Sequence, residues 1–331
     1  MAVMAQLPSH DRQHSEPATT HGHGHGHGHG HGHSHGHGHG HVGGLDVHDA
    51  GAGGDDLLDL DGQVLETSWG EALDRVVAVL GGVGVSGAVS GGVSGGPIRV
   101  VDLGAGTGTG TVGLARRIPA AHVVAVDVVE RSLSRLAAKA QTAGVGDRVS
   151  TLVADLDDGW PDLGPVDLTW ASMSLHHLAD PVRSLSELRR ITAPGGLVAV
   201  SEFDEPVRFL PDDLGVGRPG FEDRAMAALS AVHADAVPHL GAAWADVLAA
   251  AGWTVVDGHE VVIDERSPEH PLAGRYARAR FERLAQGIDG GLDPEDAQTL
   301  AALLDDDGPH ALLSRTDLHL RGIRSLTVAR A

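Results

Sequence analysis

Short runs of apolar residues alternate with segments of helical periodicity through the middle of the chain. Continuous apolar runs are typical of strands buried on both faces of a sheet, whereas apolar positions three and four residues apart are typical of helices. The predicted strands are Val100–Leu103, His122–Asp127, Val149–Ala154, Val166–Ala171 and Leu197–Ser201. Three helices are predicted between them: one starts near Thr111, and the others cover Ser132–Ala143 and Pro181–Arg190. Strands joined by right-handed helical crossovers form a parallel sheet with a ligand crevice at the carboxyl ends of the strands. An α/β fold is therefore expected.

One more helix is predicted ahead of the first strand. Its apolar positions recur at helical spacing and comprise Trp69, Leu73, Val76, Val77 and Leu80. Such a helix either lies over a bound ligand or closes the core, and periodicity alone does not distinguish the two roles. Residues 81–97 are rich in glycine, serine and valine and are expected to form a mobile linker.

A glycine-dense turn follows the first predicted strand, in the sequence Val101-Asp-Leu-Gly-Ala-Gly-Thr-Gly108. Its glycines lack the Cβ atoms that would keep a ligand away from the backbone, and the N-terminus of the next helix favours an anionic group at the same place. Asp102 narrows the choice of ligand, because a carboxylate at the mouth of the loop repels a pyrophosphate and suits a cationic amino group. S-adenosylmethionine, which carries an ammonium, a carboxylate and a sulfonium, is such a ligand.

Acidic residues end the next two predicted strands. Asp127 follows Gly108 by 19 residues, and an acid at the end of the second strand of a nucleoside-binding fold accepts hydrogen bonds from both ribose hydroxyls. The alternative for Asp127 is a helix cap or a solvated turn. Asp155 is placed to accept a hydrogen bond from an adenine amino group while Leu156 packs on the ring, or else it faces water with the acids that follow it.

Composition and charge narrow the class of protein. The chain has 331 residues, 41% of them hydrophobic but only 3% aromatic, which suits a core of valine, leucine and alanine. The absence of cysteine excludes disulfides, thiolate metal ligands and a cysteine nucleophile. A formal net charge of −21 disfavours nucleic acid and anionic membranes as partners and favours a small-molecule substrate. With no apolar run of signal-peptide or membrane-spanning length, we expect a soluble, cytoplasmic protein.

The first 62 residues differ in composition from the rest, and we expect them to form a disordered arm. The arm contains an alternating His-Gly repeat interrupted once, at Ser34. Two or three imidazoles of a flexible repeat can converge on Zn, Ni or Cu, so the candidate metal ligands are His21, His23, His25, His27, His29, His31, His33, His35, His37, His39 and His41. The alternative is a simple-sequence expansion without a role.

The motifs, in this order and at this spacing, resemble the class I S-adenosylmethionine-dependent methyltransferases, especially the small-molecule branch that includes quinone-biosynthesis enzymes. The segments that carry the resemblance are Val101–Gly108, Val126-Asp127, Ala154-Asp-Leu156, Leu175-His-His-Leu-Ala-Asp-Pro181 and Ala193-Pro-Gly-Gly196. It is firm over residues 65–205 and looser beyond, where Trp253–Val256 and Ile323–Val328 are similar to the family's closing antiparallel pair.

The resemblance implies a Rossmann-like, seven-stranded, mostly parallel sheet with an antiparallel last strand and helices on both faces. It implies a methyltransferase domain over residues 63–331, with a cofactor-binding core at 65–205 and the acceptor side at 206–331. By position, the implied cofactor-binding residues are Asp102, Gly104, Ala105, Gly106 and Gly108 around the methionine part, Asp127 and Val128 at the ribose, Asp155 and Leu156 at the adenine, and Ala171 and Ser172 on the methyl-transfer side.

Methyl transfer depends mainly on alignment of the acceptor with the methyl group, and a base is needed only when the acceptor carries a proton. His177 and His176 are the candidate bases, because histidine titrates near neutrality and both lie where the loop after the fourth strand meets the crevice. Glu202 is placed similarly. Each histidine could equally serve packing or hydrogen bonding, and Glu202 could be a cap or surface acid.

The acceptor pocket is expected from residues 206–331. Arginines on a predicted helix, at Arg275, Arg278, Arg280 and Arg283, either bind an anionic acceptor or form a solvated face.

Three other functions are compatible with parts of the sequence. A nicotinamide oxidoreductase is disfavoured because Gly108–Gly113 begins too late after the strand, and because the single tyrosine, Tyr276, and the single lysine, Lys139, cannot form a Tyr-x-x-x-Lys pair. A phosphate-binding P-loop lacks its Gly-Lys-Ser/Thr. The remaining alternative is a metal-binding or regulatory protein in which the fold is catalytically silent and the histidine arm acts.

Overall fold

Seven strands form one sheet in the computed structural model of the chain, which describes residues 51–82, 97–204, 206–233, 239–288 and 290–331. The strands are β1 (Ile98–Leu103), β2 (Ala121–Asp127), β3 (Val149–Val153), β4 (Val166–Ser172), β5 (Thr192–Phe203), β6 (Thr254–Arg266) and β7 (His319–Arg330). Their order is β3-β2-β1-β4-β5-β7-β6. The first five run parallel, and β7 lies antiparallel between β5 and β6. The predicted Rossmann-like fold with an antiparallel last strand is confirmed.

The helices of the described residues are α1 (Gly51–Val64), α2 (Glu66–Gly82), α3 (Thr109–Arg117), α4 (Glu130–Thr142), α5 (Pro181–Ile191), α6 (Phe221–His233), α7 (Trp244–Ala250), α8 (Ala273–Ile288) and α9 (Pro294–Leu304). The start of α5 illustrates how the sequence sets a boundary. Asp180 caps it by accepting a hydrogen bond from the backbone N–H of Arg183, and Pro181 occupies the first turn, where its missing N–H costs nothing.

Helices cover both faces of the sheet. On one face, Val100 belongs to the same buried cluster as Leu73 of α2 and Leu114 of α3. On the other face, Val101 belongs to a buried cluster with Leu188 of α5. Burial of both faces explains why the parallel strands appear in the sequence as continuous apolar runs. It also settles the role of α2, which closes the core along most of its length.

The N-terminal boundary differs from the prediction. Residues 51–62, expected to belong to a disordered arm, lie in α1, so the predicted boundary at 62 falls inside a helix. Leu57, Leu60 and Val64 are buried against a cluster that includes Phe281 of α8. Tertiary burial of this apolar stripe outweighs the poor helix propensity of a glycine-rich, acidic segment. Residues 1–50, with the His-Gly repeat, and most of the expected linker, residues 83–96, lie outside the described residues.

A smaller correction concerns β5. The predicted strand Leu197–Ser201 starts earlier in the structure, because Pro194-Gly195-Gly196 lie inside β5, where the pairing with β4 shifts register between Val166 and Leu168. Gly195 has φ of 80°, which the irregular start of the strand accommodates.

In the part of the chain that the structure describes, we find no helix that is both long and apolar enough to span a bilayer.

Candidate functional site

A cleft lies at the carboxyl ends of the central strands, where the sequence predicts the ligand crevice. Its empty space, including the opening to solvent, is about 760 Å³. It is lined by Leu57, Leu58, Asp61, Trp69, Asp102, Gly104, Ala105, Thr109, Gly110, Trp170, Ser172, Met173, Phe203, Tyr276 and Arg280. The lining residues come from the glycine loop, from the ends of β4 and β5, and from helices α1, α2 and α8.

The glycine loop forms one wall of this cleft, which we call the loop wall (Asp102, Gly104, Ala105, Thr109, Gly110, Trp170 and Ser172). Gly104 has φ of 63°, a left-handed conformation that glycine adopts without strain. A Cβ at this position would overlap the Cβ of Ser174, whose hydroxyl donates a 2.8 Å hydrogen bond to the carbonyl of Leu103. Glycine is therefore required at 104 by the close approach of the loop after β4.

Asp102 is a buried carboxyl on the loop wall. It accepts a 2.6 Å hydrogen bond from the hydroxyl of Thr111. Burial raises the pKa of Asp102 to about 7; the hydrogen bond from Thr111 opposes this shift, and the negative charge of Asp127 adds to it. A cationic group bound in the cleft would supply the compensation that the carboxylate lacks.

The loop wall fits the S-adenosylmethionine expected from the sequence. Asp102 is suited to an ammonium group. The buried hydroxyl of Ser172 has no hydrogen-bond partner among the described residues, so it can bond to a polar ligand atom. Of the other cofactor-binding residues predicted, Gly104 and Ala105 also line the cleft.

Asp127 has a different setting. It is buried, and its two oxygens accept hydrogen bonds from the backbone N–H groups of Gly106, at 2.8 Å, and Val129, at 2.9 Å. The carboxylate thereby ties the glycine loop to the end of β2. Neither Asp127, nor the half-exposed Val128, nor Gly106 or Gly108 is among the cleft-lining residues, so their contact with a ribose or a methionine group stays a prediction.

The residues predicted at the adenine lie further from the cleft lining. Asp155 is exposed and accepts a 3.0 Å hydrogen bond from the backbone N–H of Asp157. Leu156 packs, half-buried, against the cluster on one face of the sheet, and Ala171 is fully buried in that cluster. Their predicted role at the cofactor remains a prediction.

The candidate bases form a pair behind the cleft. His176 Nδ1 lies 2.7 Å from Glu202 Oε2, and both side chains are buried. The other Glu202 oxygen accepts a hydrogen bond from the backbone N–H of Ser174, and the ring of His177 lies 4.1 Å from that of His176. None of His176, His177 and Glu202 lines the cleft, whereas Met173, with φ of 54°, does. The pair holds the loop that presents Met173.

Side chains from distant segments form the opposite wall, which we call the side-chain wall (Asp61, Trp69, Met173, Phe203, Tyr276 and Arg280). Asp61 of α1 accepts hydrogen bonds from the hydroxyl of Tyr276, at 2.7 Å, and from the indole N–H of Trp69, at 2.9 Å. Asp61 therefore joins α1 to α2 and α8 across the cleft.

The four arginines singled out on α8 have different environments. Arg280 lines the cleft. Arg278 instead pairs with Asp306, at 2.7 Å, and with Glu282, at 2.9 Å, and Arg275 is exposed. Arg283 is not among the cleft-lining residues.

Sequence reasoning missed most of the side-chain wall and all of α1. The spacing of Leu57, Leu60 and Val64 is a helical signal, although glycine and acidic residues surround it. Nothing local marks Met173 or Phe203 as cleft residues, because their position depends on how β4 and β5 end in the sheet. Within the described ranges, no group of three or more metal-ligating side chains occurs, and the His-Gly repeat lies outside them.

Comparison with known proteins gives matches to methyltransferases. Residues 100–196 match a family described as a methyltransferase domain. The chain is 33% identical over 211 residues to a trans-aconitate 2-methyltransferase of Methylobacterium nodulans, which covers 63% of this chain and 75% of that protein. It is 38% identical over 108 residues to a demethylmenaquinone methyltransferase of Clavibacter sepedonicus, covering 33% of this chain and 42% of that protein.

Among solved structures, a SAM-dependent methyltransferase from Thiobacillus denitrificans in complex with S-adenosyl-L-homocysteine is similar, with a TM-score of 0.42 and 18% identity over 77% of this chain and 90% of that one. The chain spans less than half of the length of several of the curated relatives that it matches.

Proposed function

Because the chain belongs to the class I S-adenosylmethionine-dependent methyltransferases, we propose that it transfers a methyl group from S-adenosylmethionine to a small-molecule acceptor bound in the cleft. The observation that carries this proposal is the loop wall. A buried carboxyl with a raised pKa, a buried hydroxyl without a partner among the described residues and a glycine backbone all border one cleft. A ligand with an ammonium group and several hydrogen-bonding atoms would satisfy them together.

In this proposal the cofactor and the protein make different contributions to methyl transfer. S-adenosylmethionine supplies a methyl group on a positively charged sulfur, which leaves as a neutral thioether. The chain's own contribution is to hold the acceptor in line with that methyl group and to exclude water. Leu57 and Leu58 of α1 and Trp69 of α2 support this role, because they bring apolar surface to the same cleft.

We propose that His176 and Glu202 act as positioning residues, through the loop that presents Met173. Their mutual hydrogen bond and the bond from Glu202 to the Ser174 backbone support this role. His177 does not line the cleft, and its predicted role as a base is tested directly. Replacing His177 with Asn, with the pH dependence of kcat measured beside that of Glu202→Gln, separates the roles. If His177 is a general base, its replacement should remove the acidic limb of the pH profile, where protonation of the base lowers kcat, whereas loss of a positioning residue should lower kcat at every pH.

The proposed function is tested with the full chain. We expect S-adenosylmethionine to bind in a calorimetric titration and NAD not to bind. We also expect incubation with pools of phenols, quinones, amines and carboxylates to release S-adenosylhomocysteine with at least one pool. Absence of S-adenosylmethionine binding would refute the proposal. Binding without product in any pool would favour a silent fold.

We propose separately that the His-Gly repeat binds a divalent transition metal such as Zn or Ni, apart from the methyl-transfer site. The support is the sequence alone, with a histidine at alternate positions from His21 to His33 and again from His35 to His41. Titration of Ni into the full chain and into a chain beginning at Gly51 tests it. Equal metal binding by the two would refute the proposal.

A further inference from the structure

Two arginines at the side-chain wall, Arg280 and Arg324, make no hydrogen bond to a carboxylate of the described residues. Arg280 is half-buried and lines the cleft, and it makes no hydrogen bond or ion pair with the described residues. By contrast, Arg278, two residues earlier on the same helix, is paired with two acids. Although the chain has a net charge of −21, Arg280 therefore places in the cleft a positive charge that no acid of the described residues neutralises.

Arg324 of β7 lies behind the same wall. Its side chain is fully buried, and its guanidinium carbon lies 4.5 Å from the ring centres of both Trp69 and Phe203. None of its guanidinium nitrogens makes a hydrogen bond within the described part of the chain, and its nearest carboxylate oxygen, on Asp61, is 3.6 Å away. The two aromatic rings offset part of the cost of burying the charge, so the wall stands in front of a buried positive charge.

The side chain of Asp61 shows that the side-chain wall can bind a carboxylate. Its carboxylate sits among the Tyr276 hydroxyl, the Trp69 indole N–H and the Arg324 guanidinium. One carboxylate therefore lies beside Arg324, whereas Arg280 lines the same cleft without an acidic partner among the described residues. A second anion at the mouth of the cleft would be balanced by Arg280, whereas a cationic acceptor would be repelled by both arginines.

The described cleft also lacks an evident base for removing a proton from an acceptor. Its titratable lining residues are Asp61, Asp102, Tyr276 and Arg280. Burial raises the pKa of the Tyr276 hydroxyl well above its usual range, so it stays protonated. Both Asp61 oxygens already accept hydrogen bonds, Asp102 belongs to the loop wall, and none of His176, His177 and Glu202 lines the cleft. An acceptor oxygen that is anionic at neutral pH needs no base.

We propose that the acceptor is a small organic carboxylate, bound through Arg280 and methylated on a carboxylate oxygen. This inference rests on the proposed methyl transfer. In the step, the carboxylate oxygen forms a bond to the methyl carbon as the carbon–sulfur bond breaks, the sulfur keeps the electron pair, and no proton moves. The organic product is a methyl ester.

The experiment uses the full chain with a panel of aromatic monocarboxylates, linear dicarboxylates and tricarboxylates, beside matched phenols, amines and carboxylate methyl esters. S-adenosylhomocysteine formation and alkali-labile methyl groups report ester formation. Ligand-observed NMR on protein loaded with S-adenosylhomocysteine reports binding without turnover. We expect one or more carboxylates to bind and to be esterified. Their fully esterified forms should do neither.

The matched variants are Arg280→Gln, Arg280→Lys and, as the control on the same helix, Arg278→Gln. Arg280→Gln should lower kcat/KM for the carboxylate by about 10- to 100-fold, Arg280→Lys should recover part of the loss, and Arg278→Gln should stay within about 2-fold of wild type. S-adenosylmethionine affinity should be unchanged in all three.

The outcomes separate the two proposals. Methylation of phenols or amines but of no carboxylate would overturn the carboxylate acceptor and leave methyl transfer standing, as would loaded protein that binds no carboxylate. Equal effects of Arg280→Gln and Arg278→Gln would overturn the role of Arg280. Carboxylate binding that depends on Arg280, in a protein that does not bind S-adenosylmethionine, would instead refute the proposed function.

Discussion

The two walls of the cleft are built in opposite ways. The loop wall comes mostly from one short stretch, Asp102–Gly110, and relies on backbone conformation, on close approach of glycine to Ser174 and on one buried carboxyl. The side-chain wall is assembled from Asp61, Trp69, Met173, Phe203, Tyr276 and Arg280, which belong to distant segments. We expect the backbone of the loop wall to hold one ligand, the cofactor. Substitutions among the dispersed side chains of the other wall should then alter binding of a second ligand without disturbing the cofactor. Changes on the two walls should therefore have separable effects.

The largest effect is expected from Gly104→Ala. The substitution forces a Cβ into Ser174 and strains a left-handed backbone, so the loop must move. S-adenosylmethionine affinity should fall by at least about 30-fold, an amount that corresponds to about 2 kcal/mol, as measured by calorimetry. Gly144→Ala is the control, because Gly144 has φ of 72° but open space around it. If both variants bind S-adenosylmethionine like wild type, the loop wall is not the cofactor site.

The next effect is a pH dependence set by Asp102. With a pKa of about 7 in the folded protein without ligand, Asp102 is mostly ionised at pH 8 and mostly protonated at pH 6. Only the ionised form attracts an ammonium group, so S-adenosylmethionine should bind about tenfold more weakly at pH 6 than at pH 8. Asp102→Asn should bind weakly at both values. An affinity of wild type that is flat across this range would contradict the assigned contact.

The same carboxyl makes a prediction for unfolding without ligand. Its folded pKa of about 7 exceeds its ordinary value of 3.8, so the folded chain holds the proton more tightly. The contribution of Asp102 to the free energy of unfolding is therefore complete below about pH 4 and is lost as the pH rises to 7. Denaturant unfolding of wild type and Asp102→Asn should show wild type losing more stability over this interval. A difference between them that does not change with pH would contradict the raised pKa.

A change on the side-chain wall should spare the cofactor. Asp61→Asn removes the carboxylate nearest to the buried Arg324 while keeping an oxygen for Tyr276 or Trp69. The free energy of unfolding should fall by about 1–3 kcal/mol, because a buried charge loses its compensation. S-adenosylmethionine affinity should remain within about 3-fold of wild type. A loss of cofactor affinity as large as that of Gly104→Ala would show that the walls are not independent.

The smallest effect is expected where α1 contacts α4. Lys139 donates a 2.6 Å hydrogen bond to Asp59, and both side chains are partly exposed. Lys139→Met should lower the free energy of unfolding by about 0.5–1 kcal/mol. The loss should shrink as salt is raised, because exposed charges are screened. Unfolding in urea at low and high salt measures it, and a loss that is independent of salt would indicate packing instead.

The loop wall could be predicted from the sequence because its determinants are local. The strands, Asp102, Gly104 and Ser172 follow from apolar runs and from residue types at fixed spacing, and all three residues border the cleft. The side-chain wall could not be predicted in this way. Asp61 and Tyr276 are 215 residues apart, and they meet only because α1 and α8 share a buried cluster. Arg280 differs from Arg278 only in which side of α8 faces the cleft, so the tertiary packing of the helix decides which arginine is paired.

The structure of the protein with S-adenosylhomocysteine bound tests the assignment of the two walls most directly, because that ligand retains the amino and carboxylate groups. The ligand's amino group should lie within hydrogen-bond distance, about 3 Å, of the Asp102 carboxylate or of the Ser172 hydroxyl. The sulfur should face the side-chain wall. A ligand seated outside the cleft, or one whose amino group points away from the loop wall, would contradict this assignment.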